Sequence, residues 1–299
     1  MLISQIGEFG LIERFRRSIK ADSSVIKGSG DDCAVLEFDK DYYQLFTCDM
    51  IVEGVDFTAK DNLSLVGRKA LAVSISDIAA CGGIPKYAVV SLGLPKNSTV
   101  EYADKIAKGL FHLAKEYKIN IVGGDISRAG ELTIDVSMLG MVKKNKLVLR
   151  DGAKIGDIIM VTGEIGGSYS GKHLKFIPRV KESRFLVENF KINSMIDVSD
   201  GLIQDLGHIL KQSNAGAVIY EAFIPISKTE KRLSNALSRG EDFELLFTAS
   251  RHEAKKILEK DPVNFKAIGE IVSKKQGFKL IDKNNKQINL VSKGYQHFK

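Results

Sequence analysis

Aspartates interrupt the apolar segments of this 299-residue chain at places where a carboxylate is costly. Asp31 and Asp32 stand between the turn Gly28-Ser29-Gly30 and an apolar run, and Asp49 ends the run Leu45-Phe46-Thr47-Cys48. Asp77 breaks a stretch made almost wholly of Ala, Val, Ile and Ser, and Asp125 follows Ile121-Val122-Gly123-Gly124. Asp197 and Asp200 fall within Met195-Ile196-Asp197-Val198-Ser199-Asp200-Gly201, which reads as a strand-to-helix turn. A carboxylate taken into apolar surroundings needs a partner or a metal. Several placed together repel one another and rise in pKa. A fold that accepts this sequence therefore has to bring positive charge to these groups. Divalent cations do so, and an all-oxygen donor set suits Mg²⁺, which binds one or two carboxylates together with substrate phosphates.

Each aspartate also has a local alternative. Asp31 suits a turn and Asp125 an Asx-turn. Asp197, Ser199 or Asp200 could cap the helix that follows. Asp77 could pair with Lys69 or Arg68. Glycines favour a phosphate ligand nearby: Gly123-Gly124 after a strand lets backbone approach a polyanion, and Ser199-Asp200-Gly201 places amides at a helix N-terminus.

Strand and helix patterns alternate along the whole chain, which predicts a mixed α/β fold in both halves. Strands are expected at residues 32–38, 42–49, 87–94, 119–123 and 132–142. Helices are expected at 63–81, ended by Gly82-Gly83, and at 100–117. A basic turn at Lys143–Lys146 suggests a boundary, dividing the chain into 1–143 and 144–299, in line with a prior of about 150 residues per domain. The second half predicts strands at 157–162, 194–198, 217–220, 244–248, 265–272 and 278–281, and helices at 180–190, 201–212 and 251–259. Residues 1–17 read as an amphipathic helix presenting Phe9, Ile12, Phe15 and Ile19. They do not read as a signal peptide, because Glu8 interrupts the apolar stretch and the arginines follow it. The cytoplasm is the expected location, with no membrane span.

Several chemistries find no support. Three cysteines, Cys33, Cys48 and Cys81, form no C-x-x-C pair and read as buried small hydrophobes. Histidines form no H-E-x-x-H, and there is no G-x-S-x-G elbow. His208 reads as a satisfied helix histidine. Gly166-x₄-Gly171-Lys172 resembles a P-loop, but His173 stands where Ser or Thr would hold Mg²⁺, so a flexible Gly/Ser loop is expected. The net charge of +7 suits anionic ligands. Its basic residues are not interleaved with aromatics as in a nucleic-acid binder.

Taken together, several segments resemble the thiamine-monophosphate kinases. They are Gly30-Asp31-Asp32-Cys33-Ala34-Val35-Leu36, Thr47-Cys48-Asp49-Met50-Ile51-Val52-Glu53-Gly54 and residues 69–80. Gly123-Gly124-Asp125, residues 195–202 with Asp205-Leu206-Gly207-His208-Ile209, and Gly240-Glu241-Asp242-Phe243-Glu244-Leu245 follow in the same order. Gly7-Glu8-Phe9 and Lys293-Gly294-Tyr295-Gln296-His297-Phe298 also fit, so the resemblance covers nearly the whole chain.

The resemblance implies a two-domain fold like that of aminoimidazole ribonucleotide synthetase. Residues 1–143 would bind ATP and metal and form a homodimer through their sheet, and 144–299 would close the cleft. The implied reaction joins ATP and thiamine monophosphate to give ADP and thiamine diphosphate. By motif, Asp32, Thr47, Cys48, Asp49, Asp77, Asp125, Asp197 and Asp200 would hold several Mg²⁺ ions. Cys48 falls where the family has a hydroxyl residue, which a backbone-carbonyl ligand would survive. Gly124, Asp125, Arg150 and Ser199 would contact ATP, while Asp77, Asp125, Asp200 and Arg150 would carry the transfer. Glu241 and Tyr295 would contact the thiamine portion. Asp56, where some members have histidine, would contact the aminopyrimidine or the thiazolium charge, and residues 163–194 look shortened. The alternatives are another ATP-using enzyme of the fold, such as a selenophosphate synthetase, or a non-catalytic nucleotide or thiamine sensor.

Overall fold

A computed structural model describes residues 2–260, 264–292 and 294–298; Met1 and Lys293 of the motifs above lie outside them. Helix α1 (Ile3–Arg16) precedes a first sheet. Its strands are β1 (Val25–Lys27), β2 (Ala34–Glu37), β3 (Tyr42–Val52), β4 (Ile84–Pro95), β5 (Asn120–Ala129) and β6 (Thr133–Lys143), in the order β1-β2-β3-β6-β4-β5. Helices α2 (Leu63–Ala80) and α3 (Val100–Tyr117) belong to the same part of the chain. The second part carries helices α4 (Lys172–Lys175), α5 (Val180–Asn189), α6 (Leu202–Gln212), α7 (Leu233–Ser238) and α8 (Arg251–Lys260). Its strands are β7 (Ile158–Val161), β8 (Ile192–Asp197), β9 (Ala215–Tyr220), β10 (Leu245–Ala249), β11 (Lys266–Ser273), β12 (Phe278–Ile281) and β13 (Gln287–Asn289). They form a second sheet in the order β13-β12-β9-β11-β7-β10-β8. Both sheets are mixed: β4–β5 and β9–β12 are parallel pairs, and the other named pairs are antiparallel.

The organising element is α2. The Asn62 side chain caps it by accepting from the Ser64 and Leu65 amides at 2.9 and 3.3 Å. It is buried nearly all round, with Val66, Leu71, Ile75 and Ile78 in the core against β3 and β6. Glycines let α3 approach closely: a Cβ on Gly67 would sit 2.1 Å from the Ile106 carbonyl oxygen, and one on Gly109 1.8 Å from that of Ser64. The far end of α2 is held by the second part of the chain. Ser183 Oγ donates to the Ala79 carbonyl at 2.6 Å, and Arg184 donates to that of Gly82 at 2.9 Å. Edge strand β8 thereby abuts α2, and the two parts meet along this helix.

Three expectations need correction. Helix α1 is kinked at Gly7 (φ 70°), and its expected apolar stripe is not buried: Ile12 is 40% and Phe15 58% exposed, and Ile19 lies beyond the helix. Cys33 and Cys81 are buried, but Cys48 is exposed. Strand β5 runs on to Ala129, because it pairs with β4 well past Gly123. Asp125 and the Gly-Gly pair therefore lie inside an edge strand, with no Asx-turn or phosphate loop there. No helix among the described residues is long and apolar enough to cross a membrane.

Candidate active site

Strand alternation sets one wall of the site. In β3, Thr47 and Asp49 share the inward face with buried Leu45 and Ile51, while Phe46, Cys48 and Met50 point outward and are exposed. On α2, Ser74, Ser76 and Asp77 meet that wall. Ser74 Oγ donates to Asp49 at 2.8 Å, and Thr47 Oγ1 donates to Asp77. The end of β8 brings Asp197, which accepts from Ser76 Oγ at 2.6 Å. The Gly28-Ser29-Gly30 turn delivers Asp32, whose carboxylate is gripped by Arg150 through two bonds of 2.8 and 3.2 Å. Side-chain oxygens of Asp32, Asp77 and Asp197 then lie within 4.8 Å of one another.

This cluster has more negative charge than its neighbours cancel. Burial, then Asp49, Asp197 and Asp32, pushes the Asp77 carboxyl well above the usual range. Burial and Asp32 lift Asp197 to about 8 despite Ser76 and Arg150. Asp49 is raised to about 6 by burial, which the Ser74 hydroxyl opposes. Burial opposes the charge of Arg150, but Asp32 and Asp31 outweigh it and hold the guanidinium protonated. Neither basic residue expected beside Asp77 is there. Lys69 is buried and pairs with Glu241, while Arg68 reaches the Leu174 carbonyl at 3.5 Å.

Asp200 lies one turn further on. Gly201 starts α6 at φ 116°, where an added Cβ would fall 2.9 Å from Ser238 backbone. None of Asp197, Ser199 or Asp200 caps this helix with its side chain. Asp205 instead reaches back and accepts from the Asp200 and Gly201 amides at 3.1 and 3.0 Å. Ser199 carries the adjoining segment, because its carbonyl accepts from the Glu241 amide at 2.7 Å. Burial and Glu8 raise Asp200 to about 6.

The residues expected at the acceptor also come together. Lys69 Nζ donates to the Asp56 carbonyl at 2.8 Å while pairing with Glu241. Asp56 itself accepts from the Val52 amide at 2.7 Å, which fixes its turn. Glu241 sits at φ 62°, a conformation that non-glycine residues reach at some cost in strain. Tyr295 is anchored by its amide to the Asp200 carbonyl at 3.0 Å, and its ring is 38% exposed. Lys69, expected beside Asp77, is instead the buried partner of Glu241.

Three expected residues do not join the cluster within one chain. The side chain of Cys48 lies on the open face of the first sheet and donates to Asp135 at 3.2 Å, so only its backbone stays near Thr47 and Asp49. Asp125 aligns with Ser91, Asp135 and Met50 across β5, β4, β6 and β3, on that same open face. Three strand spacings separate it from β3, about 14 Å. Gly124 belongs to the adjacent row, and a Cβ there would strike the Val90 carbonyl at 1.8 Å. The P-loop-like stretch is also spoken for. The Gly166 amide donates to Asp242 at 2.8 Å, and Lys172 bonds the Glu164 carbonyl and Glu244 at 2.8 and 3.1 Å.

The family AIR synthase related protein, N-terminal domain, matches residues 30–142, and the corresponding C-terminal domain matches residues 170–281. A thiamine-monophosphate kinase of Buchnera aphidicola subsp. Acyrthosiphon pisum is 38% identical over 97% of this chain and 98% of its own. One from Haemophilus influenzae is 34% identical over 98% of both. The solved structure of AaThiL complexed with AMPPCP and TMP superposes with a TM-score of 0.86, at 28% identity, over 99% of each chain.

Proposed function

Because the chain belongs to the thiamine-monophosphate kinases, within the AIR synthase related family, we infer that it transfers phosphate from ATP to thiamine monophosphate, giving ADP and thiamine diphosphate. The observation that carries this for the site itself is the cluster Asp32, Asp77 and Asp197, whose oxygens lie within 4.8 Å of one another.

The donor set fits Mg²⁺. It offers only hard oxygens, and burial together with neighbouring carboxylates pushes Asp77 and Asp197 up. Asp32, Asp49, Asp77, Asp197 and Asp200, with the Thr47 hydroxyl and the Cys48 carbonyl, would hold the ions. A Mg²⁺ ion held by these residues would supply positive charge to the phosphate oxygens of donor and acceptor.

The chain's own groups do the rest. Arg150, held charged by Asp32, borders a cavity of about 640 Å³ between α1 and α6 that also presents Arg16, Ser29 and Lys211. We place the nucleotide in this cavity, a size usual for small-molecule sites, where Arg150 reaches its phosphates at the edge of the carboxylate cluster. The acceptor is a phosphate monoester with a second pKa of about 6, already anionic at neutral pH, so no side chain has to take a proton from it. The reaction thus depends on charge and alignment, which suits a cluster made of Asp32, Asp77 and Asp197. Glu241, Asp56 and Tyr295 face the acceptor's rings.

Residues 1–143 are taken as the nucleotide, metal and dimerisation domain, and 144–299 as the domain that closes the cleft. A homodimer through the open face of the first sheet would cover Phe46, Met50 and Tyr87, which are 43%, 58% and 49% exposed. It would also give Asp125 and Gly124 a route to a nucleotide on the partner subunit. The reaction is placed in the cytoplasm, where ATP is supplied.

Incubation with ATP, Mg²⁺ and thiamine monophosphate should yield ADP and thiamine diphosphate in equal amounts, both abolished by EDTA. ADP alone would send the phosphate to a different acceptor. Nucleotide binding without turnover would make the chain a sensor.

A further inference from the structure

Tyr169 belongs to none of the motifs above, yet it stands at the acceptor end of the site. It lies in the Gly166–Lys172 stretch, in a short 3₁₀ turn (Ser168–Ser170), with its side chain 48% exposed. With Tyr295, Ser238, Arg239 and Gly294 it lines a cavity of about 480 Å³. The turn beneath it is built firmly. Ser168 Oγ and the Gly166 amide both donate to Asp242 Oδ1, at 2.5 and 2.8 Å. His173 bonds the Ser168 carbonyl at 2.9 Å, and its ring leans on that of Tyr169 at 5.5 Å. Burial raises the Tyr169 hydroxyl to about 12, with further contributions from Glu241, Tyr295 and Asp56. The same two carboxylates act on Tyr295. Two tyrosine rings and two carboxylates thus share one locale with Arg239, and the paired ring faces suit an aromatic cation.

We propose that Tyr169 is a binding residue for the acceptor, forming with Tyr295 a pair of aromatic walls around the cationic thiazolium and its attached pyrimidine. This rests on the acceptor assigned above. It gives the shortened 163–194 stretch a role: a ring presented from a latched turn, in place of a longer covering segment. Asp56 supplies negative charge, with Glu241 shared with Lys69, and the phosphate end is left free to extend toward the aspartate cluster.

The test is steady-state kinetics of Tyr169→Ala and Tyr169→Phe, varying thiamine monophosphate and ATP in turn. Tyr169→Ala should raise KM for thiamine monophosphate on the order of tenfold, the size of one desolvated cation–π contact. It should leave kcat and the KM for ATP within about twofold, and Tyr169→Phe should behave like the parent, because the ring face and not the hydroxyl makes the contact. If Tyr169→Ala does not fold, Tyr169→Leu keeps the bulk without the π-face and should show the same rise. An unchanged KM for thiamine monophosphate, or an equal rise for both substrates, overturns the proposal. Parent enzyme that makes no thiamine diphosphate would remove the acceptor assignment itself. Normal parent turnover with an unaffected Tyr169→Ala removes only the role of Tyr169.

Discussion

Two of the buried acidic groups among the described residues are built in opposite ways. In the first, Asp32, Asp77 and Asp197 gather with one guanidinium, and the carboxyls of Asp77 and Asp197 are driven up. In the second, Glu244 is held by two bonds from Arg179, at 2.7 and 2.8 Å, one from Lys172 at 3.1 Å and one from Thr162 at 2.8 Å. Burial pushes Glu244 up, but Arg179 and Lys172 outweigh it and its carboxyl ends below the usual range. Burial alone therefore does not mark a functional carboxylate. The deficit of positive charge does. Glu244 is satisfied without a ligand and fastens the 164–182 stretch, whereas the first cluster is satisfied only when something cationic joins it.

The largest test of that contrast is to neutralise one member of each cluster. Asp77→Asn should lower kcat by at least about a hundredfold, by analogy with removing one charge-stabilising group from an active site. It should leave Tm in the absence of divalent cations unchanged or higher, because one repelling charge has gone. A marked fall in Tm with activity retained would make the first cluster structural after all.

Glu244→Gln should do the reverse. It leaves the half-buried Arg179 only partly paired, through Glu182 at 3.0 Å, at a cost of about 3 kcal/mol. Tm should drop by roughly 6–12 °C, while kcat, measured well below the new Tm, stays near that of the parent. Loss of kcat without loss of stability would move Glu244 into the reaction.

The first cluster was legible in the sequence and the second was not, for a physical reason. Asp77 and Asp197 announce themselves locally, since a carboxylate inside an apolar helix or strand stands out from the residues around it. Glu244 and Lys172 are satisfied by groups far along the chain, and no local pattern reports a partner 72 positions away. Lys69 and Glu241 are 172 positions apart and escaped as a pair for the same cause. Element positions were largely readable because they rest on short-range periodicity: α2, α3 and β12 fall almost where the patterns put them. Cys48 shows a signal that was present and unused. With Thr47 and Asp49 facing inward on a strand, the residue between them must face outward. Asp125 shows the converse, because the extension of β5 beyond Gly123 depends on pairing with β4, which its own sequence does not encode.

The smallest effect is also the one that isolates the charge deficit. A carboxyl whose folded pKa is raised contributes stability that is full below its unfolded pKa and is lost as pH rises through the folded one. Asp197, raised from 3.8 to about 8, therefore destabilises the metal-free protein progressively up to and beyond neutrality. Glu244, being lowered, has the opposite sign, and its stability is lost only as pH falls below the ordinary carboxylate range. His208, lowered to about 4 by burial and by Arg150, loses its share as pH falls below 6.5. Between pH 7 and 8.5 both of these are silent, and the raised carboxyls Asp77, Asp197, Asp31 and Asp205 set the slope. Tm without divalent cations should fall by about 5 °C across that interval. Saturating Mg²⁺ should flatten the slope, and Asp197→Asn should lessen it without metal, leaving the share of Asp77, Asp31 and Asp205. The same slope in Asp197→Asn, or in the presence of Mg²⁺, would mean that the deficit of positive charge does not lie in this cluster, and the contrast between the two would fail.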